Sequence, residues 1–115
     1  MGEQADQSFC YVTTTGRRSG RPHTIEIWFG IHDGTLYVLS GGTRSDWLLN
    51  LKVNPAVSIR IGRSGEFRPA TARVVGDPDE DSDARRLLAA KYQGWVEGRP
   101  LSTWASTAIP VAFEF

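Results

Sequence analysis

Arg17, Arg18 and Arg21 stand around Gly16 and Gly20 in the run TTTGRRSGRP, residues 13 to 22. Three guanidinium groups on a tight turn can offer forked, charge-assisted hydrogen bonds to a phosphate or a carboxylate. The glycines let backbone approach a ligand closely and turn successive N–H groups outward as an anion-binding nest. A solvated hairpin tip would account for the same residues, so a second element is needed. It comes at LSGG, residues 39 to 42, which runs directly toward a helix start at Ser45 and Asp46. A strand, a small-residue loop and a helix N-terminus converge unpaired N–H groups on one point, which suits an anion. Arg44 adds a cation there.

A third element lies between these two. In HTIEIWF, residues 23 to 29, the side chains alternate. Ile25, Ile27, Phe29 and Ile31 share one face and belong to a core, while Thr24, Glu26 and Trp28 share the other. An indole on the non-core face can stack on a flat ring, and Glu26 or His23 can bond the ring's edge. Burial of Trp28 in a subunit contact fits the residue equally well.

The elements that carry these groups can be read along the chain. Residues 8 to 15 form a first strand, residues 16 to 21 a turn, and residues 22 to 31 a second strand. Asp33-Gly34 is a two-residue hairpin signal, and residues 35 to 40 follow as the next strand. A helix spans about residues 45 to 53, with Ser45 as N-cap, Trp47, Leu48 and Leu51 as its apolar stripe, and Asn54-Pro55 as its stop. Residues 56 to 61 and 67 to 75 are strands joined at Arg63-Ser64-Gly65. A second helix starts at Asp77-Pro78, with Glu80 completing a capping box and Ala84, Leu87, Leu88 and Trp95 on its buried side. A loop then leads to a last strand at residues 109 to 115. Five or six antiparallel strands with two helices predict a small β-barrel or β-roll, closed because open edges invite association.

Composition bounds the partners. The 115 residues suit a single domain with one core. The net charge is zero, which does not favour nucleic acid or an acidic membrane. The charge is uneven, however. Residues 16 to 73 hold nine Lys and Arg against four acids, whereas residues 76 to 99 hold six acids against four bases. An anion belongs in the basic part. Cys10 is the single cysteine, so it reads as a core residue and excludes both an intrachain disulfide and a cysteine metal cluster. No His, Cys and Asp spacing suggests a metal. MGEQADQ at the start has no apolar run behind it, and no stretch is long and apolar enough to span a membrane. A cytoplasmic chain is expected.

The order TTTGRRSGRP, HTIEIWF, LSGG and SDWLLNLKVNP resembles the deazaflavin-dependent nitroreductase family, strongly over residues 11 to 62 and more weakly at the terminal WASTAIPVAF. That resemblance implies a mainly β, α+β split barrel of the pyridoxamine-phosphate-oxidase type and a homodimer. It also implies coenzyme F-420, an 8-hydroxy-5-deazaflavin with a phosphate and a glutamate tail. Carried over by position, Arg17, Arg18 and Ser19 hold the phosphate end. His23, Ile25, Glu26 and Trp28 lie on the strand beside the ring, and Leu39, Ser40, Gly41 and Gly42 on the loop against it. Asp46, Trp47, Leu48 and Asn50 lie on the helix that closes the site. Ser40 is the one candidate for a catalytic proton donor, against the plainer reading of a loop serine. The implied activity is hydride transfer between the reduced cofactor and a small acceptor such as a quinone, nitro compound or enone.

Three features depart from the family's pattern. Leu101 and Trp104 stand where relatives acting on bulky nitro compounds or quinones carry tyrosines, no extended N-terminal helix precedes the first strand, and the glycine loop has no lysine. Two rival readings remain at this point. One is an FMN-binding or haem-binding split barrel. The other is a non-enzymatic barrel that binds single-stranded nucleic acid on Trp28, Trp47 and Tyr37.

Overall fold

The structure, a computed structural model, describes residues 6 to 42 and 45 to 115. Its elements are β1 (Cys10–Thr15), β2 (Pro22–Ile27), β3 (Gly30–His32), β4 (Thr35–Ser40), α1 (Asp46–Val53), β5 (Ala56–Ile61), β6 (Arg68–Val74), α2 (Pro78–Gln93), α3 (Thr103–Thr107) and β7 (Ile109–Glu114). The seven strands make one antiparallel sheet in the order β2-β1-β5-β6-β7-β4-β3. β2 and β3 are thus the two outermost strands, yet only Trp28 and Phe29 separate them in the chain. Two residues cannot cross a flat seven-stranded sheet. The sheet therefore curls until its edges approach, which is the split half-barrel the sequence led us to expect.

The expected strand over residues 22 to 31 is divided at that point. Alternation does persist through the division. Ile25, Ile27 and Ile31 pack on the inner core and Phe29 is fully buried. The backbone of Phe29 leaves the ladder because α2 captures it. Its N–H donates to Tyr92 Oη at 2.9 Å, and its carbonyl accepts from Lys91 Nζ at 2.9 Å. These bonds replace the ladder partners that a continuous strand would have kept.

The inner face of the curl holds Val12, Val38, Ile59, Val111 and Phe113, plugged by Leu48 and Leu51 of α1. The outer face of β4 and β7 is covered by α2, through Tyr37, Leu39 and Ala112 against Ala84 and Leu88. β4 is buried along nearly its whole length for this reason. Asp33 and Gly34 both adopt positive φ, 50° and 79°, so the β3–β4 connection is the type I′ turn that Asp-Gly favours. Cys10 is buried, and burial pushes its thiol up to about 12, consistent with a core residue and not a reactive one.

Two capping details differ from expectation. Ser45 stands at the N-cap of α1 but makes no side-chain cap bond. In α2, Asp77 does accept from the Glu80 N–H at 2.9 Å. Glu80's carboxylate does not complete a capping box. It takes both Arg73 Nη1 and Nη2 at 2.7 Å and the Tyr37 hydroxyl at 2.7 Å, tying α2 to β6 and β4. The third helix, α3, lies inside the segment expected to be a loop. It is five residues long and capped by Ser102, which accepts from the Ala105 N–H.

Candidate functional site

The arginine-rich turn is closed by its own backbone. Gly16 N–H donates to Arg21 O at 2.8 Å, and Gly20 N–H donates to Gly16 O at 2.9 Å. Gly16 sits in a tight space, since a Cβ there would stand 2.7 Å from Ser19 Oγ and 3.2 Å from Arg21 O. The turn then folds onto α1 through one side chain. Asn50, only 3% exposed, accepts from the Arg17 N–H at 3.1 Å and from Arg17 Nη1 at 2.9 Å with the same Oδ1. Its Nδ2 donates to Thr14 Oγ1 on β1 at 3.4 Å. Asp46, in the first turn of α1, lies 3.4 Å from Arg17 Nη2.

Between turn, β2 and α1 opens a polar groove of about 600 Å³. Its walls include Arg17, Arg18, Ser19, His23, Ile25, Asp46, Trp47 and Asn50, eight of the residues expected to hold a cofactor. Gly16, Pro22 and Thr24 complete it. Among the described residues, Arg18 and Arg21 form no ion pair. Two exposed guanidinium groups on a glycine turn, beside the N-terminus of α1, make the donor set of an anion site.

A second groove, about 540 Å³, lies further along β2. Phe9, Glu26, Ile27, Trp28, Leu39, Gln93 and Trp104 line it. It is mostly apolar. Trp28 stacks on Tyr92 with ring centroids 4.4 Å apart and planes 1° apart, and meets Trp104 edge-on at 5.4 Å. Its other contacts leave it 38% exposed. One face of the Trp28 indole is thus taken by Tyr92. Glu26 accepts from the Tyr11 hydroxyl at 2.9 Å.

Four expected site residues line neither groove. Ser40 is fully buried. Its Oγ–H donates to Gly42 O at 2.8 Å, and Oγ lies 3.0 Å from Ser45 Oγ. That arrangement ties Ser40 to the residues after β4, as the plainer reading of a loop serine has it. Leu48 is fully buried in the inner core and packs instead of binding. Gly41 and Gly42 are exposed on the loop. Arg44 lies outside the described residues. The sequence did not single out Phe9, Ile27, Gln93 or Gly16 as site residues. Only Gly16 carried a local signal, its place at the head of the GRRSG turn.

Comparison with known proteins adds the family and the fold. Residues 2 to 114 match the profile of a family described as F420H(2)-dependent quinone reductase. Among solved structures, the fold is similar to a candidate 5-nitroimidazole antibiotic resistance protein from Bacteroides thetaiotaomicron (TM-score 0.73, 16% identity, covering 93% of this chain and 72% of that one). It is also similar to an F420-H2 dependent reductase (TM-score 0.64, 24% identity, 92% of each chain). A candidate pyridoxamine 5'-phosphate oxidase from Listeria innocua superposes with TM-score 0.68 at 19% identity, over 97% of this chain and 86% of that one. These likenesses establish the fold. The family match over nearly the whole sequence goes further: this chain belongs to the F420H(2)-dependent quinone reductase family, oxidoreductases whose cofactor is coenzyme F-420.

Proposed function

We propose that this chain is a single cofactor-binding domain that passes a hydride between reduced coenzyme F-420 and a small, flat organic acceptor such as a quinone, nitro compound or enone. The observation that carries this reading is the placement of two unlike grooves on successive stretches of the segment from Pro22 to Trp28. One is built of arginines and a helix N-terminus, the other of Trp28, Leu39 and Trp104.

The residues fit the cofactor in its parts. The anionic tail would meet Arg17, Arg18 and Ser19, where Asp46 is the one carboxylate paired with the turn among the described residues. The segment from His23 to Trp28 would hold the ring, with Trp47 on the wall beside the turn. Coenzyme F-420 supplies hydride chemistry when bound. The chain supplies binding, orientation and exclusion of water. Asn50 fixes the direction of Arg17, and Glu26 offers an acceptor at the edge of the second groove. The acceptor molecule enters that groove against the wall that Trp28 and Trp104 share. Because Ser40 is committed to its own loop, proton delivery to a reduced acceptor falls to solvent.

We also place the protein in the cytoplasm as a homodimer. No described helix is long and apolar enough to cross a membrane. Light scattering tests the dimer. The activity is tested by following oxidation of the reduced deazaflavin with menadione, a nitroaromatic and 2-cyclohexen-1-one, alongside reduced FMN as donor. Turnover with the deazaflavin alone supports the reading. Turnover with FMN alone, or a protein that purifies with bound FMN, replaces it with a flavin-dependent one.

A further inference from the structure

The bend at Trp28-Phe29 is held by groups that neither β2 nor β3 provides. Tyr92, near the end of α2, does two things at once. Its ring lies parallel to the Trp28 indole at 4.4 Å. Its hydroxyl accepts from the Phe29 N–H at 2.9 Å and lies 2.9 Å from Ser8 O and 3.0 Å from Phe29 O, to either of which it can donate. Beside it, Lys91 donates to the same Phe29 carbonyl and places Nζ 3.7 Å above the Phe29 ring. The hydroxyl fixes the backbone on one side of Trp28, while the ring fixes the plane of the indole. Trp104, on α3, closes the arrangement edge-on. Phe9, the residue after Ser8, is on the wall of the same groove.

We infer that Tyr92 is the positioning residue of the acceptor groove: by clamping the Trp28-Phe29 bend and stacking on Trp28 it sets the tilt of the aromatic wall that Trp28 and Trp104 form together, and so favours flat aromatic acceptors over puckered ones. This rests on the reading of that groove as the acceptor site. Tyr92 touches no reacting atom in this account. It acts through Trp28, whose exposed part meets the acceptor. A parallel stack is worth more than the area it buries because the ring quadrupoles orient the pair, so the indole has one preferred plane and not several.

The test uses the full chain with Tyr92→Phe and Tyr92→Leu, and Trp28→Ala and Trp104→Ala as groove controls. Near-ultraviolet circular dichroism of the cofactor-free protein reads the coupled aromatic rings directly and does not depend on turnover. Steady-state kinetics with reduced coenzyme F-420 then compares menadione with 2-cyclohexen-1-one. We expect Tyr92→Leu to abolish the aromatic dichroism band and to raise KM for menadione at least tenfold. KM for cyclohexenone should change less than threefold, and kcat and cofactor affinity less than twofold. Tyr92→Phe keeps the stack and loses the hydroxyl, so it should retain part of the band and raise KM for menadione about three- to fivefold. It also serves should Tyr92→Leu fail to fold. Equal KM changes for the two acceptors, or a lost band with unchanged menadione KM, would overturn the inference. If Trp28→Ala and Trp104→Ala also leave every KM unchanged, the acceptor groove itself has been misplaced, a failure distinct from that of Tyr92.

Discussion

Asn50 offers the sharpest separation of stability from binding. Its single Oδ1 accepts both the Arg17 N–H and the Arg17 guanidinium, and it is almost completely buried. In Asn50→Ala both bonds vanish. A neutral hydrogen bond contributes about 0.5–1.5 kcal/mol and one to a charged group about 1.5–3. Arg17 is 21% exposed at its side chain, so water recovers part of the charged term, and a net loss of about 2 kcal/mol is expected. For a chain of this length that lowers Tm by roughly 8 °C. Asn50→Asp behaves differently. It keeps an acceptor at Oδ1, the Thr14 hydroxyl can turn to donate in place of Nδ2, and Tm should stay within about 3 °C of wild type. Its new charge, however, stands behind the arginine that meets the cofactor's phosphate. At roughly 6 Å and an effective dielectric constant of about 20, two such charges repel by about 3 kcal/mol. Solvent screening in an open groove halves that, leaving roughly a tenfold loss of affinity. Differential scanning fluorimetry and a fluorescence titration with coenzyme F-420 measure the two quantities separately. An Asn50→Asp protein with normal Tm and normal affinity would refute the placement of the anion on Arg17.

Other expectations follow from the same geometry. Trp28→Ala should weaken acceptor binding at least fivefold while leaving the oligomer intact, since its indole packs on Tyr92 and Trp104 of its own chain; dissociation in light scattering would return Trp28 to a subunit contact. Binding of the deazaflavin should be micromolar or tighter and that of FMN markedly weaker, read by tryptophan quenching; equal affinities would count against the deazaflavin. Hydrogen bonds from Arg73, and then from Tyr37, hold the Glu80 carboxyl down at about 2, below its ordinary value near 4.5. A depressed carboxylate contributes stability that is complete above its unfolded-state pKa and is lost as pH falls through the folded one. Tm should therefore fall between about pH 4.5 and pH 2, and Glu80→Gln should lower Tm at neutral pH while flattening that acid limb; an unchanged limb would show that the Arg73–Glu80 pair carries no such linkage.

Much of this molecule is written locally. The Asp33-Gly34 turn, the Asp77-Pro78 helix start and the Asn54-Pro55 stop all act through their own φ, ψ and hydrogen-bonding preferences, and each appears where those preferences put it. The arginine turn is legible for the same reason: Gly16 and Gly20 close it through bonds within six residues. The division of the second strand is not legible, because the apolar alternation runs unbroken through Phe29. Only Lys91 and Tyr92, more than sixty residues later, decide that the backbone leaves the sheet there. Helix α3 has one turn and a Ser cap, too little periodicity to stand out from a loop. The burial of Ser40 is illegible for a related reason. A serine at a strand's end facing a glycine loop looks available, and its burial depends on Ser45 and on the closing of the loop. The groove that receives the acceptor draws on Phe9, Trp28, Leu39, Gln93 and Trp104 from five separate places in the chain, so no spacing in the sequence could announce it.

The central claim is that the Gly16–Arg21 turn grips the cofactor's phosphate-bearing tail. It is tested most directly by a cycle of four dissociation constants: intact coenzyme F-420 and the same deazaflavin chromophore lacking phosphate and glutamates, each against wild type and against Arg17→Ala combined with Arg18→Ala. The account predicts that the double substitution weakens the intact cofactor at least tenfold, because charged hydrogen bonds contribute about 1.5–3 kcal/mol each, and leaves the tail-less chromophore within twofold. Equal losses for both ligands, or no loss for either, would contradict it.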